Sequence, residues 1–441
     1  MRRSLLSPQA CNERKPTQAG GRALLEFLYD YAMAKRPWGY RDQQNRTEPD
    51  WQLDPQTQSV RGGLSRTGYG ETSEALFLNS GFTYASAEEA ESSFAEETDH
   101  YLYSRFHNPT VAAFENRLAI LEGADRCLAT SSGMSAMFAA VACLVNQGDR
   151  IVASAAMFSS CHVVLTEILP KWGITTELVQ AGDIEGWKKA LATPAKVVFI
   201  ETPSNPLLEI TDIAFVSNLA HKAGATVIVD NVMASPVLQK PLQLGADVIM
   251  YSATKHIDGQ GRVLGGAILG SHDYFTNHLL PFNRHTGPSM SPFTAWVLMK
   301  SLETMHMRVD HMVKSAALVA QFLETRPEVS VIRYPGLKQH PGHEVAMLQM
   351  NNQGGSMIGF EVKGGRAAAF KLMNNLKVID ISNNLGDSKS LITHPDSSTH
   401  RKLAPEVKAS VGITPGVLRL SVGLEAATDL VKDLEQAFSA I

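Results

Sequence analysis

The chain has 441 residues, is 44% hydrophobic and 19% charged, and carries a formal net charge of −4. Its length fits two or three domains with ample core material. The slight negative balance argues against nucleic-acid binding by bulk charge, and no apolar run approaches the ~18 residues that would span a bilayer.

Residues 1–55 read as an N-terminal extension. "MRRSLLSPQACNERKPTQAGGR" is polar and rich in helix breakers, and "ALLEFLYDYAMAKR" has the spacing of one short amphipathic helix. No apolar stretch follows Arg2-Arg3, so a secretory signal is not expected, and Glu13, Glu26 and Asp30 dilute the charge of a transit peptide. Residues 56–110 are taken as an N-terminal arm. From Val111 helices and strands alternate. "VAAFENRLAILEG" is a helix closed by Gly123, "RCLATSSG" a strand entering a small-residue turn, and "MSAMFAAVACLV" a helix. "RIVAS", "ITTELVQ", "AKVVFIETP", "ATVIVDN" and "DVIMYSATK" are short strands, with helices expected at "CHVVLTEILPKWG", "IEGWKKALA" and "IAFVSNLAHKAG". Short strands that are apolar on both sides, alternating with helices, predict an α/β domain with a mostly parallel sheet covered on both faces, here residues 111–290. Beyond it, one long helical segment from Pro292 to Leu323 and the strands "VSVIRYP", "SMIGFEV" and "VLRLSVGLE" predict a smaller α+β domain over 291–441.

Cysteines at 11, 127, 143 and 161 lack CxxC spacing and read as free thiols of a reducing compartment. His340 and His343 form an H-x-x-H in a turn with no carboxylate at zinc-like spacing, so no metal site is expected.

In open α/β sheets ligands sit beyond the carboxyl ends of the strands. Three features fall there. "SSGMSA" lies between a strand and a helix, where free N–H groups make an anion site. Asp230 and Lys255 each close an apolar strand. Singly these are a turn, a cap and a solvated lysine. Together they match pyridoxal 5′-phosphate: a phosphate cradle, a carboxylate for the ring nitrogen and a lysine for the Schiff base. Burial of its stem is expected to lower the pKa of Lys255. The glycines of "DGQGRVLGG" are expected to let the backbone pass close to the ring, and their spacing does not fit a dinucleotide fingerprint.

"YSATKHIDGQGRVLGGAILG" resembles the lysine motif of the cystathionine/methionine-metabolism family of pyridoxal-phosphate enzymes. "YSRFHNPT", "SSGMSA", "ETPSNP", "VDNVMASP" and "LRLSVGLE" follow the same family's order. The resemblance covers about Thr57 to Ile441 and implies a fold-type-I pyridoxal-phosphate transferase. It implies Lys255 as Schiff-base lysine and proton shuttle, and Asp230 on the pyridine nitrogen. Gly133, Met134, Ser252 and Thr254 would hold the phosphate. Tyr103 and Arg105 would reach the neighbouring subunit's cofactor, in a homotetramer built from dimers. Asn205 and Arg419 would hold the substrate, Arg419 through its α-carboxylate.

The chain departs from the family pattern at two positions. Phe158, in "MFSSCH", replaces a tyrosine that would stack on the ring, so it can stack but cannot move a proton. Asn384, in "SNNLGD", fills a serine position. "GQGRV" and "SNNLGD" are similar to the O-succinylhomoserine sulfhydrylase branch. The resemblance thus implies a cytoplasmic enzyme that replaces the succinyl group of O-succinylhomoserine with sulfide. Cystathionine γ-synthase, O-acetylhomoserine sulfhydrylase and cystathionine lyase are the alternatives. Arg262 is the expected extra cation for the succinyl carboxylate.

Overall fold

Strand β6, Val248–Ser252, shows how the main sheet is built. Val248 and Met250 enter one apolar cluster with Met137, Phe199 and Ile228, while Ile249 and Tyr251 enter another with Phe114, Leu118 and Leu298. A strand whose two faces are both buried reads as a continuous apolar run rather than an alternating one.

The protein is described from a computed structural model over residues 52–64 and 66–441. The helix expected at "ALLEFLYDYAMAKR" lies outside these residues. The main sheet comprises β1 (Arg126–Thr130), β2 (Arg150–Ser154), β3 (Thr175–Val179), β4 (Val197–Glu201), β5 (Thr226–Asp230), β6 and β7 (Gly266–Gly270). Their order is β1-β7-β6-β5-β4-β2-β3. All neighbouring pairs are parallel except those of β7, which is antiparallel to both β1 and β6. The sheet is therefore mostly parallel, as its pattern predicts. Strand β7, "GAILG", was not foreseen, because two glycines bracket only three apolar residues. The carboxyl ends of β1, β4, β5 and β6 share one edge.

Local rules set the helices. Asn108 caps Pro109–Glu122 by accepting from Thr110 and Val111 N–H, and Gly123 ends it at φ 71°. Ser132 caps Gly133–Ala142 in a reciprocal pair with Ser135. "CHVVLTEILPKWG" is not one α-helix: it runs as Ser159–Val163, a π-helical turn to Ile168 and a 3₁₀ turn to Trp172. Pro170 lies in its last turn and cannot continue an α-helical ladder. The long segment after Pro292 likewise divides into Pro292–Leu302 and Met305–Glu324.

A second sheet follows, of β8 (Val329–Arg333), β9 (Met357–Val362), β10 (Asp380–Ile381), β11 (Leu391–Thr393) and β12 (Val417–Ser421), in the order β10-β11-β12-β9-β8. Ile358, Phe360, Leu418 and Leu420 pack on the helices Met305–Glu324 and Ala427–Phe438. Truncating a fully buried side chain such as Phe360 to alanine costs about 3–5 kcal/mol. Strands β10 and β11, of two and three residues, are too short for a period-two signal.

Candidate active site

Five of the sequence-selected residues come from strand ends at the same edge of the sheet. Gly133 and Met134 follow β1, Asp230 closes β5, Ser252 closes β6, and Lys255 stands in the turn after it. Together with Thr254, Phe158, Asn205 and Arg419 they line one cavity of about 270 Å³.

The lysine turn is closed by bonds from Lys255 N–H to the Ser252 carbonyl and from Gly259 N–H to the Lys255 carbonyl. Lys255 Nζ donates to Asn384 Oδ1 at 2.5 Å. Burial lowers its pKa to about 8, with the Arg419 charge acting in the same direction. The amine is therefore deprotonated far more readily than a solvated lysine, and in its neutral form it can take a proton. Gly259 and Gly261, both at φ 66°, do not line the cavity. A Cβ there would strike the Arg308 guanidinium or the Asp387 carboxylate. The expected close pass to a ring is thus replaced by left-handed turns packed on those two side chains.

The phosphate cradle is the start of the Gly133–Ala142 helix. Ser132 Oγ accepts from Ser135 N–H, and the Ser132 carbonyl accepts from Ala136 N–H. The N–H groups of Gly133 and Met134, in the first turn, stand outside the helix's own ladder. A Cβ at position 133 would lie 2.5 Å from Ser252 Cβ, so only glycine lets the turn approach β6. The Thr254 hydroxyl is held by Gly265, accepting from its N–H at 3.1 Å.

Asp230 is 3% exposed and accepts from Val232 N–H at 3.1 Å through one oxygen. Burial raises its pKa to about 7. Beside it, in register on β4, stands Glu201. Glu201 is fully buried and accepts from Phe158 N–H at 2.6 Å and from Asn205 N–H at 2.7 Å. Burial and the Asp230 charge push Glu201 well above the carboxylate range, against those two bonds and Arg419. Glu201 was missed by sequence reasoning, although "VVFIE" ends in a carboxylate by the same rule that selected "VIVD".

Arg419, on β12 and 1% exposed, donates to Asn205 Oδ1 at 2.7 Å and to the Asn383 and Asn384 carbonyls at 3.0 and 3.2 Å. Its Nε is buried with no partner. Asn384 thereby contacts both the lysine and the arginine. Asn383, Leu264, Leu385 and Thr399 also line the cavity and carried no sequence signal.

Tyr103, Arg105 and Arg262 do not line it. Tyr103 is 44% exposed. The Arg105 guanidinium lies 4.4 Å from the Phe106 ring centre and donates to the Arg284 carbonyl. Arg262, the expected cation for a distal carboxylate, is engaged by Asp258 at 3.1 Å and by the Ser301 hydroxyl. Its side chain is held away from this chain's cavity, which corrects that expectation.

A buried lysine with a lowered pKa, a buried carboxylate able to stabilise a cation and a first-turn anion cradle all open on one cavity. Those residues fit pyridoxal 5′-phosphate. Among the described residues, no group of three or more His, Cys, Asp or Glu is placed to hold a metal ion. The H-x-x-H histidines are engaged separately, His340 Nδ1 with Gly342 N–H and His343 Nδ1 with the Pro335 carbonyl. Among the described residues no helix is long and apolar enough to cross a membrane.

Comparison with known proteins gives the same reading. Residues 56–439 match the family described as Cys/Met metabolism PLP-dependent enzyme. The chain is 51% identical over 387 residues to an O-succinylhomoserine sulfhydrylase of Mycobacterium tuberculosis, covering 87% of this chain and 95% of the relative. It is 41% identical to an O-succinylhomoserine sulfhydrylase of Pseudomonas aeruginosa (87% and 95% covered). An L-methionine gamma-lyase of Porphyromonas gingivalis is 38% identical (87% and 97%). Among solved structures, a putative O-acetylhomoserine (thiol)-lyase from Campylobacter jejuni carries N′-pyridoxyl-lysine-5′-monophosphate; it matches with a TM-score of 0.84 at 29% identity, covering 88% of this chain and all of that one. A cystathionine gamma synthase from Xanthomonas oryzae, in complex with aminoacrylate and cysteine, matches with a TM-score of 0.84 at 34% identity (88% and 99%). The chain therefore belongs to the pyridoxal-phosphate-dependent enzymes of cysteine and methionine metabolism.

Proposed function

We propose that the protein is an O-succinylhomoserine sulfhydrylase, replacing the γ-succinyloxy group with sulfide to give homocysteine and succinate. The observation that carries the proposal is the neutralisable Lys255 amine bridged through Asn384 to the carboxylate-binding Arg419 in one cavity. The names of the 51% and 41% identical relatives support the choice of substrate.

Pyridoxal phosphate, bound through Lys255, supplies an electron sink at the substrate's α-carbon. Gly133 and Met134 N–H with the Ser252 and Thr254 hydroxyls would hold the phosphate, Asp230 would keep the ring nitrogen protonated, and Phe158 would offer an apolar face to the ring. Arg419 holds the α-carboxylate, with Asn205 fixing the guanidinium. Freed by substrate, Lys255 Nζ would take the proton from Cα, give it back to the cofactor-bound substrate, and then take one from Cβ, while succinate leaves Cγ with the bonding electron pair. Phe158 has no exchangeable proton, so Lys255 carries these transfers alone. A thiolate then adds at Cγ, and Lys255 returns the protons. Sulfide is largely ionised near neutral pH and needs neither a base nor a pocket for a second carboxylate.

Tyr103 and Arg105 serve the cofactor of a neighbouring subunit in this proposal, within a homotetramer built from dimers, in the cytoplasm. Residues 1–55 are an extension, 56–110 the arm that reaches the neighbour, 111–290 the cofactor domain and 291–441 the C-terminal domain.

Steady-state kinetics with O-succinyl- and O-acetylhomoserine, each with sulfide and with cysteine, test the proposal. The highest kcat/KM should fall to the succinyl ester with sulfide. A preference for cysteine would assign cystathionine synthesis instead. Release of a thiol from methionine faster than any replacement would assign a γ-lyase, the activity named for the 38% identical relative.

A further inference from the structure

A second cavity, of about 430 Å³, opens where the segments after β3 and β4 meet the segment after β8. That volume lies within the range of small-molecule sites. Its wall is apolar, with Ile184, Trp187, Phe215 and Val345. Arg333 and Glu209 also line it. Both side chains are half-buried, and neither forms a hydrogen bond or ion pair among the described residues. They nonetheless feel each other: burial raises the Glu209 pKa, and the Arg333 charge opposes that rise.

The other polar groups of the lining are already engaged. Asp212 accepts from Phe215 N–H at 2.9 Å. His340 Nδ1 accepts from Gly342 N–H at 3.1 Å. Burial and Arg333 lower its pKa to about 4, so it is neutral at physiological pH. What remains without a side-chain partner among the described residues is the Arg333 guanidinium and the Glu209 carboxylate, on one apolar-walled cavity. A simple carboxylate would satisfy Arg333 and meet Glu209 unfavourably, and an amine would do the reverse. A zwitterion with an apolar tail satisfies both.

The cavity is joined to the active site by one short loop. Ser204 N–H donates to the Glu209 carbonyl at 3.0 Å, Glu209 N–H to Ser204 Oγ at 3.1 Å, and Leu208 N–H to the Ser204 carbonyl at 2.9 Å. Glu209 ends this hydrogen-bonded unit. Ser204 begins it, and Asn205, the next residue, donates its N–H to Glu201 and accepts from Arg419 through Oδ1. A ligand drawing on Glu209 therefore acts on the group that fixes Arg419.

We propose that this cavity binds an α-amino acid with an apolar side chain, carboxylate on Arg333 and ammonium on Glu209, and that its occupancy is transmitted through residues 204–209 to Asn205 and Arg419. The regulatory half rests on the active-site reading above. The binding half does not, because it is measured without turnover.

L-Norleucine titrated calorimetrically into the holoenzyme is the test. It also competes at the active site, so binding is read in Arg419→Ala, where the active-site carboxylate clamp is gone. That variant should keep one binding event. Adding Arg333→Gln should raise its Kd by roughly tenfold or more, as expected for loss of a charge-assisted bond. Val345→Trp, which fills the cavity, should abolish it even if Arg333→Gln folds poorly. Hexanoate and hexylamine, each carrying one charge, should bind at least about tenfold more weakly than norleucine. In Arg419-intact enzyme, norleucine should shift the KM for the homoserine ester by about fivefold, a coupling within the usual range, and Arg333→Gln should remove that shift. Loss of all binding in Arg419→Ala, or binding unaffected by both cavity variants, overturns the site. A KM shift that persists in Arg333→Gln is plain competition and overturns the coupling.

Discussion

Arg419→Lys tests the substrate clamp most directly. The guanidinium makes three bonds inside the protein, to Asn205 Oδ1 and to the carbonyls of Asn383 and Asn384, and keeps a buried Nε without a partner. A lysine ammonium is a single point charge and cannot hold these fixed acceptors while also presenting a planar pair of donors to a carboxylate. Losing one charge-assisted bond to substrate removes about 1.5–3 kcal/mol. At ~1.4 kcal/mol per decade, kcat/KM should fall roughly ten- to a hundredfold. The loss should appear mainly in KM, because the clamp acts equally on the bound ester and on its transition state. Each buried acceptor left unpaired costs a further ~1–3 kcal/mol of fold stability, so urea unfolding should shift to lower midpoint. The assay is steady-state kinetics with O-succinylhomoserine, with cofactor content measured by visible absorbance. An Arg419→Lys enzyme with full cofactor and a KM within about twofold of wild type would refute the assignment of Arg419 to the carboxylate.

Burial of Lys255 makes a pH prediction for the cofactor-free protein. Its folded pKa, about 8, lies below the ordinary 10.5, so the unfolded chain binds more protons between those values and wild-type stability rises with pH across that window. Lys255→Met should be more stable than wild type at pH 7 by on the order of 3 kcal/mol, with the gap closing toward pH 10; a gap independent of pH in urea unfolding would contradict the lowered pKa. Mixing inactive Arg105→Ala with inactive Lys255→Ala should restore activity through hybrid dimers, since Arg105 stands outside its own chain's cavity; no recovery despite demonstrated subunit exchange would remove Arg105 from the partner's site. Arg262→Ala should lower kcat/KM equally for succinyl and acetyl esters, because its guanidinium is engaged by Asp258 and Ser301; a loss confined to the succinyl ester would restore it as the distal-carboxylate cation.

The sequence by itself determined the alternation of strands and helices, the mostly parallel sheet and the strand ends that carry Asp230, Lys255 and the "SSGMSA" turn. These are local properties: hydrophobic period, caps and small-residue turns act within a few residues, so they are legible one segment at a time. The short strands β7, β10 and β11 were not legible, because they are stabilised by their neighbours in the sheet rather than by their own pattern. Only the tertiary structure brought Arg419, from the second sheet, into contact with Asn205 and Asn384 and placed Glu201 against Asp230. It also turned Arg262 toward Asp258, although Arg262 stands only seven residues from Lys255. Contacts such as that of Arg419 with Asn205, 214 residues apart, depend on how the layers pack, and direction around a turn depends on backbone angles that composition does not specify. For the same reason the Arg333–Glu209 cavity, built from three distant segments, had no signature in the chain.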